Sequence, residues 1–398
     1  MPDAPDAAAA AAARLARNAV DSLPQGALEQ RLSAAAKEGR RLRVKLGIDP
    51  TAPDIHLGHA VVLVKLREFQ DAGHRVVLIV GDYTARVGDP SGRSTLRPML
   101  SEHEIDANAA TFQQQALRIL DPDPELLEVR RNGEWLDMKM IELLRLVRTT
   151  TAAQLLERDD FSKRLAAGEP VSMLELLYPL LQGYDSVAVE ADAELGGTDQ
   201  KFNLLLGRDI QRAYEQPEQA IMTMPILVGL DGHKKMSKSL GNQIGVTDPP
   251  EDMYGKAMSL PDEAMGDYYR LLLRSEAPDE PPRDAKRRLA RELVAWLHSP
   301  QQAAQAEAAF DRVFVERELP EEIDEAAVDA PGGRINLPEL MAQEFGLSRS
   351  EARRLIDQGG VTLGGEAVAG GEYELPVERA DGQVLKVGKR RFRRLRAL

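Results

Sequence analysis

Two short apolar segments with an amphipathic stretch between them occupy residues 42–81, and this order constrains the fold more than any other feature of the chain. Residues 42–49 read as a strand, 58–72 as a helix and 75–81 as a second strand. Strands about 30 residues apart with a helix between them make a βαβ unit, which implies a parallel sheet. Further strands are predicted at 127–131, 186–190 and 221–228, and helical periodicity fills 102–120, 138–147 and 174–183. The fold class is therefore predicted as α/β, a Rossmann-type doubly wound parallel sheet over residues 35–248, preceded by an N-terminal extension with a helix over 1–34. Ligands of such sheets bind at the C-terminal ends of the strands.

After Pro249-Pro250 the pattern turns wholly helical, which predicts a helical domain and linker over 249–331. Pro331-Gly332-Gly333 marks the next boundary. Residues 332–398 read as a small α+β domain, with helices at 337–345 and 349–358 and strands near 361–363 and 383–387.

The 398 residues carry a formal charge of −13, yet residues 386–398 hold seven basic side chains and no acid, leaving −20 on the rest. An acidic body repels nucleic acid and a basic end attracts it, although alone that end reads equally as a solvated tail. The absence of cysteine excludes disulfides, thiolate metal sites and cysteine nucleophiles. No stretch approaches the roughly 18 apolar residues of a membrane span. The alanine run after Asp3 and Asp6 lacks the positive start of a secretory signal, so a cytoplasmic protein is predicted.

Three constellations carry chemistry. His56-Leu57-Gly58-His59 enters the first predicted helix. Free N–H groups and the positive dipole end suit phosphate there, and Gly58 lets a base or ribose approach the backbone. Lys234-Lys235-Met236-Ser237-Lys238-Ser239 lies between Gly232 and Gly241. Its ammonium groups suit a polyphosphate whose charge grows during reaction, although alone it reads as a solvated basic loop. Tyr178, Gln182 and Asp185 fall along one face of a predicted helix, as pocket groups or as a polar surface stripe.

The first two constellations together resemble the signature pair of the class I aminoacyl-tRNA synthetases, and with the third the chain resembles the bacterial tyrosyl-tRNA synthetase family. That resemblance implies roles. Tyr178 and Gln182, with Thr84 and Asp89, would contact the substrate amino group, and Asp185 the phenol hydroxyl. Gly197 and Asp199 would lie against adenosine, Asp199 on the ribose, and Gln200 near the reacting carboxylate. Thr51, His56 and His59 would hold phosphates, with Asp49 and Gly58 also at the nucleotide. Lys235 and Lys238 would stabilise departing pyrophosphate, in a loop whose Met236, Ser237 and Ser239 also meet ATP. Lys45 stands where many bacterial relatives place a tyrosine on the phenol, and is an expected tyrosine contact. Arg93 and Arg97 fall where the family often places basic residues for the tRNA acceptor end or phosphates.

Residues 334–363 resemble an S4 RNA-binding domain, which implies Arg349, Arg353 and Arg354 as phosphate contacts, extended by Lys389, Arg390 and Arg391 of the tail. The implied reaction joins L-tyrosine to ATP and then to tRNA(Tyr), with Mg²⁺ entering with ATP and neither a protein-held metal nor an organic cofactor. The helical domain would bind the anticodon, and residues 130–180 would form the interface of a homodimer. A tryptophanyl enzyme lacks the S4 segment, and a small-molecule nucleotidyltransferase has no need of it. A non-catalytic RNA-binding protein has no need of the histidines and lysines.

Overall fold

A six-stranded sheet organises the first of two units, Met1–Ala306, in a computed structural model that describes residues 4–51, 54–90, 101–314, 323–328, 330–388 and 391–397. Its strands are β1 (Asp21–Leu23), β2 (Arg43–Ile48), β3 (Arg75–Val80), β4 (Leu127–Arg131), β5 (Ala193–Gly197) and β6 (Ala220–Met224), in the order β1-β6-β5-β2-β3-β4. All neighbours are parallel except β1, which pairs antiparallel with β6 at the edge. In β3 every residue after Arg75 is buried, as a strand covered on both faces requires. The βαβ unit closes through the helix Leu57–Asp71, which buries Leu57, Ala60, Val61, Val64 and Phe69. Edge strand β1 carries no apolar signature; Thr223 and Lys201 hold it through Asp21.

The strand expected at 186–190 is instead the last turn of the helix Met173–Ala188 and its exit, and the strand itself is β5. Ser172 and Glu175 start that helix with a reciprocal cap: Ser172 N donates to Glu175 Oε2 at 2.9 Å and Glu175 N to Ser172 Oγ at 3.2 Å. It then runs through Pro179. Packing fixes its length. At Gly183 an added Cβ would lie 2.5 Å from Ile210 Cδ1 and 3.3 Å from Gly207 Cα, so the helix lies close against Lys201–Ala213. Val187 and Val189 imitate strand alternation, but tertiary packing overrides that propensity.

Helices Pro250–Met258, Met265–Leu272, Pro282–Leu297 and Pro300–Phe314 follow the sheet. Tyr268 Oη donates to the Val228 carbonyl at 2.8 Å, tying them to the segment after β6.

The second unit, Glu307–Leu398, contains β7 (Glu325–Val328), β8 (Arg334–Asn336), β9 (Val361–Leu363), β10 (Glu366–Ala367), β11 (Glu374–Pro376), β12 (Val384–Val387) and β13 (Arg391–Ala397). Five form the sheet β10-β9-β12-β13-β7, and β11 pairs with β8. Helices Leu337–Phe345 and Arg349–Asp357 pack on a core that includes Met341, Ile356, Val361, Leu385 and Leu395. Among the described residues no helix is long and apolar enough to cross a membrane.

Candidate active site

One cavity of about 830 Å³ opens at the C-terminal ends of the parallel strands. Strand β2 delivers Asp49 and the turn bearing Thr51, His56, Gly58 and His59. Thr84 and Asp89 come from the segment after β3, Asn132 from the end of β4, and Gly197, Asp199 and Gln200 from the end of β5. The helix Met173–Ala188 contributes Tyr178, Gln182 and Asp185, and the loop after β6 adds Lys235, Met236, Ser237 and Ser239. Among the described residues, every site residue expected in this unit lines the cavity except Lys45 and Lys238.

His56 and His59 stack with ring centroids 3.9 Å apart. Burial pushes their pKa values down, to about 3 for His56 and about 4 for His59, so both rings are neutral near pH 7. His56 Nδ1 is buried with no hydrogen-bond partner. An added Cβ at Gly58 would meet that atom at 2.9 Å, so a side chain is excluded there. The Gly58 N–H points at Met236 Sδ, 3.3 Å away, which docks the lysine loop on the helix start. Asp231 and Asn242 hold that loop. Asp231 accepts from the N–H groups of His233 and Lys234, and Ser237 N donates to Asn242 Oδ1 at 2.8 Å. The bond from the Lys234 N–H leads the causes that hold the Asp231 carboxyl down at about 2. Lys238 Nζ reaches outward to Asp54 Oδ2 at 2.5 Å.

The other groups form a buried polar web. Tyr178 Oη donates to Asp49 Oδ2 at 2.9 Å and Thr84 Oγ1 to Asp49 Oδ1 at 2.6 Å. Asn132 Nδ2 donates to Thr84 Oγ1 at 2.9 Å. Burial, reinforced by the charges of Asp89 and Asp185, pushes the Asp49 carboxyl up to about 7. Asp49, expected at the nucleotide, thus sits among groups expected at the amino acid. Asp185 accepts from Trp135 Nε1 at 2.8 Å and Asn132 Nδ2 at 3.4 Å, and burial lifts it to about 6. Gln200 Nε2 donates to Asp89 Oδ2 at 2.9 Å, and Asn203 Nδ2 donates to Gln182 Oε1 at 2.9 Å and to Gln200 Oε1 at 3.0 Å.

A family model described as tRNA synthetases class I (W and Y) matches residues 37–315, and one for the S4 domain matches 336–377. The chain belongs to the class I tRNA synthetases of the W and Y family. A tyrosine–tRNA ligase of Moorella thermoacetica is 50% identical over 395 residues, covering 95% of this chain and 94% of the relative. One of Thermotoga maritima is 48% identical over 394 residues, covering 95% of each. A tyrosyl-tRNA synthetase of Archaeoglobus fulgidus, solved with L-tyrosine, shares the fold at a TM-score of 0.61 and 24% identity, covering 75% of this chain and 99% of that one.

Against this synthetase frame, Lys45 corrects the sequence reading. It is fully buried, and its ammonium donates to the Gln182 carbonyl, Ser186 Oγ and Glu194 Oε1 at 2.8–2.9 Å. Those three acceptors use all three of its protons, and it does not line the cavity. Sequence reasoning also missed Asn132, Trp135 and Asn203, and gave Asp54 no role. Asn132 was within reach, because it directly follows a predicted strand at its C-terminal end.

In the S4 unit Arg349, Arg353, Arg354 and Arg391 are exposed. Arg349 pairs with Glu339, and the Arg353 guanidinium lies 5.2 Å from the centre of the Tyr373 ring. Arg93, Arg97, Lys389 and Arg390 lie outside the described residues.

Proposed function

We propose that the chain is a tyrosine–tRNA ligase, which activates L-tyrosine with ATP and transfers it to tRNA(Tyr). The observation that carries this reading is one cavity uniting the stacked histidines and the lysine loop with the Tyr178, Gln182 and Asp185 face. The neutral imidazoles of His56 and His59, with Thr51, donate to the phosphates at the helix start. Asp199 takes the ribose hydroxyls. The ammonium of tyrosine meets Asp49, Asp89, Tyr178 and Gln182, and the phenol donates to Asp185. A carboxylate accepts without donating, so a phenylalanine ring would leave unfilled the acceptor position of buried Asp185 that the phenol takes.

No protein nucleophile takes part. The tyrosine carboxylate attacks the α-phosphorus, the bond to the β,γ-diphosphate breaks, and pyrophosphate leaves with its charge on Lys235 and Lys238. The tRNA terminal hydroxyl then attacks the mixed anhydride and releases AMP. Magnesium enters with the nucleotide phosphates. Two copies pair through the apolar face of the helix Met140–Val147, where Met140, Ile141 and Leu144 are exposed, as are Met173 and Leu174 of the helix Met173–Ala188.

The test is amino-acid-dependent exchange of labelled pyrophosphate into ATP without tRNA. Exchange with tyrosine is expected to exceed that with tryptophan or phenylalanine by orders of magnitude, with only a slow turnover of phenylalanine. Exchange with tryptophan instead overturns the reading of Asp185, and none with any of the three overturns the ligase.

A further inference from the structure

Beneath the helix Met173–Ala188 lies an ion pair that the activation chemistry does not use. Lys45 in β2 and Glu194 in β5 are directly paired in the parallel register, so their side chains leave neighbouring strands on one face. They are 0% and 1% exposed, with Nζ 2.9 Å from Oε1. Glu194 is held from the other side as well. Its Oε2 accepts from Ser186 Oγ at 3.1 Å and from Gln219 Nε2 at 2.5 Å, and Oε1 also takes Gln182 Nε2 at 3.4 Å. Lys45 grips the same turn of helix through the Gln182 carbonyl and Ser186. The pair thus holds one turn from both sides, and that turn carries Gln182 and Asp185.

We propose that Lys45 and Glu194 form a positioning pair that sets Gln182 and Asp185 against the sheet and so determines selectivity for a phenol-bearing amino acid. A buried ion pair is a poor source of stability, since apolar side chains of similar volume do as well or better. Its distinctive property is directional: three ammonium protons and two carboxylate oxygens fix one helix turn in register and height. Its field acts at the same place. Asp185 is faced by Lys45 from β2, by Asp49 just after that strand, by Glu194 from β5 and by Tyr178 of its own helix, with Trp135 and Asn132 as neutral donors. Of these charges Lys45 acts most strongly, opposing the upward push of burial, whereas Glu194 adds to that push by less.

The inference rests on the tyrosine-ligase reading, and the experiment separates the two. Lys45→Met and the charge-neutral Lys45→Met/Glu194→Gln are compared with the unaltered chain by pyrophosphate exchange with tyrosine and phenylalanine from pH 5 to 9. The double variant serves because Lys45→Met alone strands a buried carboxylate and risks the fold. In the double variant kcat/KM for tyrosine is expected to fall about 10-fold or more, with phenylalanine turnover and KM for ATP unchanged. The acid limb of the tyrosine profile moves to higher pH, because Asp185 loses the larger of two opposed charges. A folded double variant with unaltered discrimination and an unmoved acid limb overturns the positioning role, as does an equal loss for both amino acids. An unaltered chain without tyrosine-dependent exchange overturns the ligase reading itself.

Discussion

Asp49 shows how a buried carboxyl lining the cavity weighs on the fold. The unfolded chain releases this proton near the ordinary value of 3.8, whereas the folded chain keeps it to about 7. Between those values the folded state binds more protons, so stability is full below pH 3.8 and is lost as pH rises to 7. Asp49→Asn removes that penalty while keeping an acceptor for Thr84. It is expected to raise the melting temperature at about pH 8 and hardly at about pH 4, and to abolish tyrosine activation; equal shifts at both values would remove Asp49 as the source. Trp135→Phe takes away the 2.8 Å donor to Asp185. A hydrogen bond to a charged group contributes about 1.5–3 kcal/mol, so tyrosine affinity should drop about 10-fold or more with ATP affinity intact, read by equilibrium dialysis of each ligand. The motif histidines and the Tyr178, Gln182 and Asp185 face were legible because sequence spacing alone brings them together. Lys45 was not, because its acceptors come from Gln182, Ser186 and Glu194, all distant in sequence.

At the scale of elements, the loop after β6 and the helix Leu57–Asp71 act as one unit through Met236 and Gly58. Lys238 is about half exposed and bound to Asp54, itself 40% exposed. Such a pair contributes at most about 1 kcal/mol, so a polyphosphate can draw the ammonium away from it. Lys238→Ala is therefore expected to slow adenylate formation by about 10²-fold in a single-turnover assay while tyrosine binding stays unchanged. Equal losses in both would remove the role at the departing pyrophosphate. The βαβ opening was legible because β3 is an unbroken apolar run. The helix Met173–Ala188 misled at its end, because its length is set by packing on Lys201–Ala213 across Gly183 and Gly207 rather than by its own residues. Strand β1 left no mark, since three residues held at a sheet edge by the Asp21–Thr223 hydrogen bond need no apolar pattern.

The whole molecule separates two tasks between its units, and each has its own surface. In the first unit Met140 is 68% exposed and Leu144 55%. With a second copy on that face, as proposed, Leu144→Asp is expected to be monomeric by sedimentation, whereas an unchanged sedimentation coefficient would put the interface elsewhere. The charge of the chain divides in the same sense. Residues 386–398 are wholly basic among their charged groups while the rest carries −20, so the body is expected to repel non-specific RNA and the end to attract it. Arg354 is exposed on the helix Arg349–Asp357, whose opposite face buries Ala352 and Ile356. It can therefore be altered without touching the core. If Arg354 meets a phosphate, as the S4 resemblance implies, removing its charge weakens RNA binding without changing which sequence is preferred, and reduces the salt dependence by about one ion. Arg354→Glu is thus expected to lower aminoacylation of tRNA(Tyr) through KM for the RNA, with tyrosine-dependent pyrophosphate exchange at the unaltered rate. A fall in exchange as well would mean that the S4 unit takes part in activation, and no change in either rate would place the RNA on another face.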